Sequence, residues 1–78
     1  MPANIQEVRN RLSAKLMHKL QEQGETSGDR IFDCEEYGVL MLRDCHLAWS
    51  PIWYTSAVLK KLPREDIEQA AEEVRRER

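Results

Sequence analysis

The strongest constraint in this sequence is an apolar stripe with a helical period near its beginning. Its members recur at spacings of three and four residues, with Met17 widening the stripe: Ile5, Val8, Leu12, Leu16 and Leu20. Asn4 is a good N-cap, and Glu7 can complete a capping box with it. Gly24 can end the helix in the left-handed conformation. The pattern predicts an amphipathic helix over residues 4–23 with its apolar side toward the core.

Residues 30–49 fit two different structures. As a β-hairpin, the strands are 30–34 and 39–43, joined by a four-residue loop that ends in Gly38. As a helix, the segment starts at Asp33 as N-cap and carries one stripe: Cys34, Tyr37, Met41, Cys45 and Ala48. Its residues are on balance better helix formers, although Gly38 costs about 1 kcal/mol relative to alanine inside a helix. We favour the helix, and the hairpin is the alternative.

Two further helices are predicted in the last third of the chain. Ser50 followed by Pro51 is a capping serine with proline at the first helical position, which predicts a helix over 51–61. Pro63 then opens a last helix with acidic residues in its first turn and arginines in its last turn, as the helix dipole favours. The apolar stripe of this helix is narrow: Ile67, Ala70, Ala71 and Val74.

The predicted fold is therefore mainly α, a compact four-helix domain over residues 1–78. The alternative is α+β, with a helix, a β-hairpin and two helices. A chain of 78 residues has a thin core, because it buries only roughly 60% of the surface it exposes when unfolded. A second subunit supplies the burial that one short chain lacks, so we expect a homodimer slightly more than a monomer.

The charge is distributed unevenly along the chain. The formal net charge is −2, which argues against a general nucleic-acid binder, since such proteins carry a basic excess. Residues 1–19 sum to +3, residues 20–49 to −5, and residues 50–78 to zero. Ordinary solvation of polar faces explains much of this layout. The alternative is an acidic contact surface for a basic partner, with these candidates: Asp33, Glu35 and Glu36.

Residues with reactive or metal-binding side chains are few, and their spacing fits no catalytic, cofactor or metal site. Cys45 and His46 are adjacent, so on a helix they point about 100° apart and do not converge on a metal with Cys34 or the distant His18. The acids beside Cys34 raise its pKa and disfavour a nucleophilic thiolate. The three glycines match no phosphate-binding loop. We expect no enzymatic activity, no cofactor and two cysteines that act as small, buried apolar residues.

The chain lacks the signals of export and membrane insertion. The first apolar residues are separated by charges, and the longest apolar run, 39–42, is far too short to cross a bilayer. These features predict a cytoplasmic protein with reduced thiols and without a membrane partner.

The densest unusual feature is the aromatic segment 49–54, which holds Trp49, Trp53 and Tyr54. Such rings are often the large anchors of a small core. However, Trp53 and Tyr54 point about 100° apart on a helix, so one thin domain does not easily bury every ring. We therefore expect at least one ring to contact another chain, where tryptophan and tyrosine concentrate binding energy.

Together these observations predict a small non-enzymatic protein-interaction domain: a regulator, adaptor or inhibitor of a larger cellular or phage-associated protein machine. The alternative is a dimeric DNA-binding regulator of the helix-turn-helix kind, because the helix over 51–61 is short and follows a tight turn. Against that alternative, this helix has no arginine, and its first turn is Pro-Ile-Trp-Tyr.

Overall fold

Two α-helices and a four-stranded mixed sheet form the described part of the chain, residues 4–50 and 59–77 of a computed structural model. The order of elements is α1 (Ile5–Gln23), β1 (Asp29–Asp33), a 3-10 turn (Glu35–Tyr37), β2 (Val39–Arg43), β3 (His46–Ser50), β4 (Leu59–Lys61) and α2 (Arg64–Arg76). The fold is α+β, so the prediction of a four-helix domain is wrong.

The strands lie in the order β3-β2-β1-β4. β2 pairs antiparallel with both β1 and β3, whereas β4 pairs parallel with β1. The two outer strands of the described sheet are therefore β3 and β4. In register across the sheet, Leu40 lies between Phe32 of β1 and Trp49 of β3.

Residues 30–49 are a hairpin followed by a third strand, and the favoured helix is wrong. The rejected alternative placed strands at 30–34 and 39–43, close to the observed β1 and β2. Gly38 adopts φ 108° and ψ −157°, a region essentially restricted to glycine and incompatible with a helix. Burial also alternates in the sheet: Phe32, Leu40 and Leu42 belong to the core shared with the helices.

The first helix is confirmed, with one exception on its apolar stripe. Asn4 Oδ1 accepts hydrogen bonds from the backbone N–H groups of Gln6 and Glu7, at 2.8 and 3.3 Å. Gly24 ends the helix at φ 67° and ψ 31°. Ile5 does not face the core: it is 56% exposed, whereas the next stripe residue, Val8, is fully buried.

The last helix is also confirmed, whereas the one predicted before it is not. α2 begins directly after Pro63, and its four stripe residues are all buried: Ile67, Ala70, Ala71 and Val74. Leu59–Lys61, the end of the helix predicted over 51–61, forms strand β4 instead. The rest of that prediction, residues 51–58, lies outside the described residues.

Both helices contribute to one hydrophobic core on one face of the sheet. α1 provides four buried side chains, α2 four, and the sheet Phe32, Leu40 and Leu42. The opposite face carries the alternate residues, with Ile31, Met41 and Ala48 in register. Among the described residues, no helix is long and apolar enough to span a membrane.

Candidate functional site

The two outer strands of the sheet differ in how they are protected from pairing with another chain. Exposed strand edges present unpaired N–H and C=O groups, and proteins commonly blunt them with short strands and lysines. β4 has both features, since it is three residues long and carries the exposed Lys60 and Lys61. β3 has five residues, His46–Ser50, and none is Asp, Glu, Lys or Arg. β3 is thus the unprotected edge of the described sheet.

The hairpin between β2 and β3 determines which backbone groups point outward. Its loop is Asp44 and Cys45, both with positive φ (44° and 71°), as in the type I′ turn that matches strand twist. A two-residue loop closes on a hydrogen-bonded pair, here Arg43 and His46, and hydrogen-bonded pairs then alternate along the ladder. The N–H and C=O groups of Leu47 and Trp49 therefore point away from β2.

A groove of about 480 Å³ runs beside this edge, between β3 and α1. Its helix side is formed by Asn10, Ser13, Ala14 and Met17, and its strand side by residues 45–47 and Trp49. None of these residues is Asp, Glu, Lys or Arg, in a chain whose residues are 33% charged. Depletion of charge and enrichment in aromatic residues and methionine are typical of the centre of a protein interface. We call this feature the α1–β3 groove.

Trp49 is half-buried at the wall of the groove and is held from one side by Arg9. The guanidinium carbon of Arg9 lies 5.4 Å from the centroid of the indole ring, and Arg9 Nε donates a hydrogen bond of 2.7 Å to the carbonyl of Tyr37. Trp49 Nε1 is buried and has no hydrogen-bond partner among the described residues. A buried donor without a partner costs about 1–3 kcal/mol, so this indole is not fully satisfied within the described chain.

The acidic candidates lie elsewhere and have partners within the chain. Asp33, on β1, accepts a hydrogen bond of 2.9 Å from the backbone N–H of Glu35. Arg64 Nη1, at the start of α2, donates to Glu35 at 2.9 Å and to Glu36 at 2.5 Å. This arginine fastens the 3-10 turn to α2 and offsets part of the acidic charge. The role of Asp33, Glu35 and Glu36 in partner binding stays a prediction.

The other predicted aromatic contacts, Trp53 and Tyr54, lie outside the described residues. Of the predicted site, the structure therefore describes Trp49 and the three acids, and it does not gather them into one surface. β2 lies between β3, which carries Trp49, and β1, which carries Asp33.

The two cysteines have different environments, contrary to the expectation that both are buried. Cys34 is fully buried, and burial and, second, the carboxylate of Asp33 raise the pKa of its thiol to about 12. Cys45 is exposed at the hairpin loop, with Sγ 3.7 Å from Thr26 Oγ1. In the described part of the chain, no three His, Cys, Asp or Glu side chains are placed to hold a metal ion together.

Sequence reasoning missed most of the α1–β3 groove, because it treated residues 30–49 as helical. Leu47, Asn10, Ser13 and Met17 were not candidates. One signal was available: residues 45–59 contain no Asp, Glu, Lys or Arg, although a third of the chain is charged. Such an uncharged stretch beginning at a surface turn indicates a strand that is not protected from pairing.

Comparison with protein-family models, with curated proteins and with solved structures finds no match for this chain.

Proposed function

We propose that this chain is a small non-enzymatic protein-interaction module, a regulator, adaptor or inhibitor of a larger protein machine. Its partner binds the edge of β3 and the α1–β3 groove. The observation that carries this proposal is the contrast between the outer strands: β4 is short and has two exposed lysines, whereas β3 is longer and has no Asp, Glu, Lys or Arg. Among the described strands, the outer one without these protective features is the one suited to pairing.

The β3 edge and the α1–β3 groove supply the backbone hydrogen bonds and the side-chain contacts of a strand-docking interaction. The outward N–H and C=O groups of Leu47 and Trp49 can pair with an added strand, and such main-chain hydrogen bonds provide affinity. The half-buried indole of Trp49 and the thioether of Met17 provide adaptable apolar contacts beside that strand. Tryptophan is among the residues that contribute most to interface energy.

The chemistry of the described side chains supports a binding role more than a catalytic one. The Cys34 thiol is a poor nucleophile at neutral pH, because its pKa is raised to about 12. The acids next to it in sequence, Glu35 and Glu36, are held by Arg64. These groups stabilise the fold. The most distinctive described surface is therefore the β3 edge, which has no Asp, Glu, Lys or Arg.

The proposal can be tested by capturing partners from a native lysate with two matched variants. Ala48→Lys adds to β3 the kind of charge that protects β4, and Ala48 is exposed, so the fold should survive. Gln21→Lys adds the same charge at an exposed position near the end of α1. We expect a partner captured by the parent to be retained by Gln21→Lys and lost by Ala48→Lys, with both variants melting like the parent. A partner that Ala48→Lys retains in full would contradict the proposed site.

A further inference from the structure

The β3 edge has the symmetry needed to pair with itself. We propose that two copies of this chain join their β3 strands antiparallel about a two-fold axis at Ala48, which makes one continuous sheet. This inference rests on one part of the proposed function, that the β3 edge and the α1–β3 groove are a contact surface, and it names a second copy of the chain as the occupant. It is carried by the hydrogen-bond register, the side chains that would meet, and the distribution of charge.

The hydrogen-bond register is self-complementary around Ala48. With the axis at this residue, Leu47 of one copy lies opposite Trp49 of the other, and the reverse pair is identical. These are the two residues whose N–H and C=O groups point away from β2, so each pair can exchange two hydrogen bonds. Ala48 then faces Ala48 of the second copy in a non-hydrogen-bonded pair, where the Cα atoms approach to about 4.5 Å.

The side chains that meet across this axis are compatible on both faces of the sheet. On the face toward the helices, Leu47 meets the indole of Trp49 from the other copy, an aliphatic–aromatic cross-strand pair of the kind that stabilises sheets. On the opposite face the axis passes between two alanines, which are small enough for the close approach. Isologous contact of this kind closes as a dimer and does not propagate into a fibre.

The distribution of charge favours a copy of this chain as the occupant. A two-fold axis places each group near a copy of itself, so any charged side chain at its centre would meet a like charge. The α1–β3 groove contains no Asp, Glu, Lys or Arg, and therefore brings no such repulsion. The other outer strand would bring lysines 60 and 61 against themselves, which opposes dimerisation there.

The size of the surface indicates that α1 must contribute as well. A standard interface buries roughly 800 Å² per partner, about a seventh of the 5401 Å² surface of this chain. The edge of a five-residue strand is smaller than that. The groove residues of α1, including Asn10, Ser13 and Met17, lie beside the strand and can supply the remaining area when the two α1 helices approach across the axis.

Sedimentation equilibrium over a range from low micromolar to submillimolar concentration tests this inference. We expect the parent to shift from 9.2 kDa toward twice that mass as concentration rises. Ala48→Lys places two ammonium groups at the axis and should remain at the monomer mass, whereas Gln21→Lys should dimerise like the parent. A parent that stays at the monomer mass throughout, or an Ala48→Lys protein that dimerises like the parent, overturns the inference.

A crosslinking experiment tests the register itself. In a Cys45→Ser background, Ala48→Cys places two thiols at the axis, within the Cα separation of 4.4–6.8 Å that disulfides need. Mild oxidation should convert most of this variant into a covalent dimer, and the matched Gln21→Cys variant should react far less. Equal crosslinking of the two variants would show that the copies do not meet at Ala48.

The experiments distinguish failure of the self-pairing inference from failure of the proposed function. If the chain is monomeric but Ala48→Lys loses a captured partner, the edge binds a different protein and only the self-pairing is wrong. The other outcome is that the chain dimerises through Ala48, while Ala48→Lys retains every other captured protein. In that case the β3 edge is a dimer interface, and the surface that binds the larger protein machine lies elsewhere.

Discussion

The guanidinium of Arg9 stacks on the indole of Trp49, with 5.4 Å between the guanidinium carbon and the ring centroid, and so joins the N-terminal part of α1 to the edge strand β3. The same side chain donates from Nε to the carbonyl of Tyr37, at 2.7 Å, and thereby also holds the 3-10 turn. One residue connects the helix, the turn before β2 and the strand that carries the proposed interface.

Replacing Arg9 should therefore weaken the fold and loosen Trp49 together. We expect Arg9→Met, which keeps an apolar stem, to lower the free energy of unfolding by about 1–2 kcal/mol through loss of the cation–π contact and the hydrogen bond. Chemical denaturation followed by tryptophan fluorescence measures this change. Arg76→Met, at an exposed ion pair within α2, is the control and should cost less than about 0.5 kcal/mol. Equal effects of the two variants would contradict the role assigned to Arg9.

Gly38 should be intolerant of a side chain because of its backbone, not its neighbours. A Cβ atom there would lie 3.5 Å from Arg9 Nη2 and 3.8 Å from Trp49 Cε3, which is ordinary contact. Its φ of 108° and ψ of −157°, however, are essentially restricted to glycine, so we expect Gly38→Ala to cost about 2–3 kcal/mol. Gly24→Ala is the control: its left-handed conformation is accessible to alanine at about 1–2 kcal/mol. In thermal melts, Gly38→Ala should lower the melting temperature more than Gly24→Ala does. The reverse order would show that the backbone at residue 38 relaxes to accommodate alanine.

Two positions of the α1 stripe should respond very differently to an introduced negative charge. Leu16 is 6% exposed, so Leu16→Asp should cost several kcal/mol by placing an unpaired carboxylate in the core. Ile5 is 56% exposed in the first helical turn, where a negative charge favours the helix dipole, so Ile5→Asp should be within about 0.5 kcal/mol of the parent. Melting within a few degrees of the parent for Leu16→Asp would remove α1 from the core.

The two thiols should react at very different rates in the folded protein. Cys45 is exposed, whereas Cys34 is fully buried and its pKa is raised to about 12. A disulfide-exchange reagent at neutral pH should label one thiol rapidly and the second only after addition of denaturant. Cys45→Ser should abolish the fast phase, and Cys34→Ser should preserve it. Two fast thiols in the native protein would mean that the segment around Cys34 opens readily.

Glu73 should make stability depend on pH in the acidic range. The hydrogen bond from Lys15, at 2.7 Å, lowers the pKa of the Glu73 carboxyl below its ordinary value of about 4.3. Because the folded-state pKa is depressed, the stabilisation is present above the unfolded-state pKa and is lost as pH falls through the folded-state pKa. The difference in unfolding free energy between the parent and Glu73→Gln should therefore be largest near neutral pH and shrink in acid. Glu65→Gln, at an exposed residue without an ion pair among the described residues, should show a smaller change with pH.

The sequence by itself determined the two helices and their ends. Helical hydrogen bonds join residues four apart, so the signals of a helix are local. Asn4 and Gly24 begin and end α1, and Pro63 directly precedes α2, as predicted from these residue types. The stripe spacing identifies most of the buried residues of the two helices. Ile5 was misassigned because periodicity states which side of a helix is apolar and does not state where the opposing surface ends.

Only the tertiary structure decided the sheet, and with it the candidate site. The parallel pair of β1 and β4 joins residues far apart in the chain, as Ile31 and Leu59 show, so no short window contains its signal. Leu40 and Leu42 are good helix formers, yet in β2 both enter the shared core, and that burial outweighs a propensity of a few tenths of a kcal/mol per residue. The strand order, which leaves β3 at an edge beside α1, is a property of the assembled sheet. For that reason the aromatic residue Trp49 was visible in the sequence, but the groove around it was not.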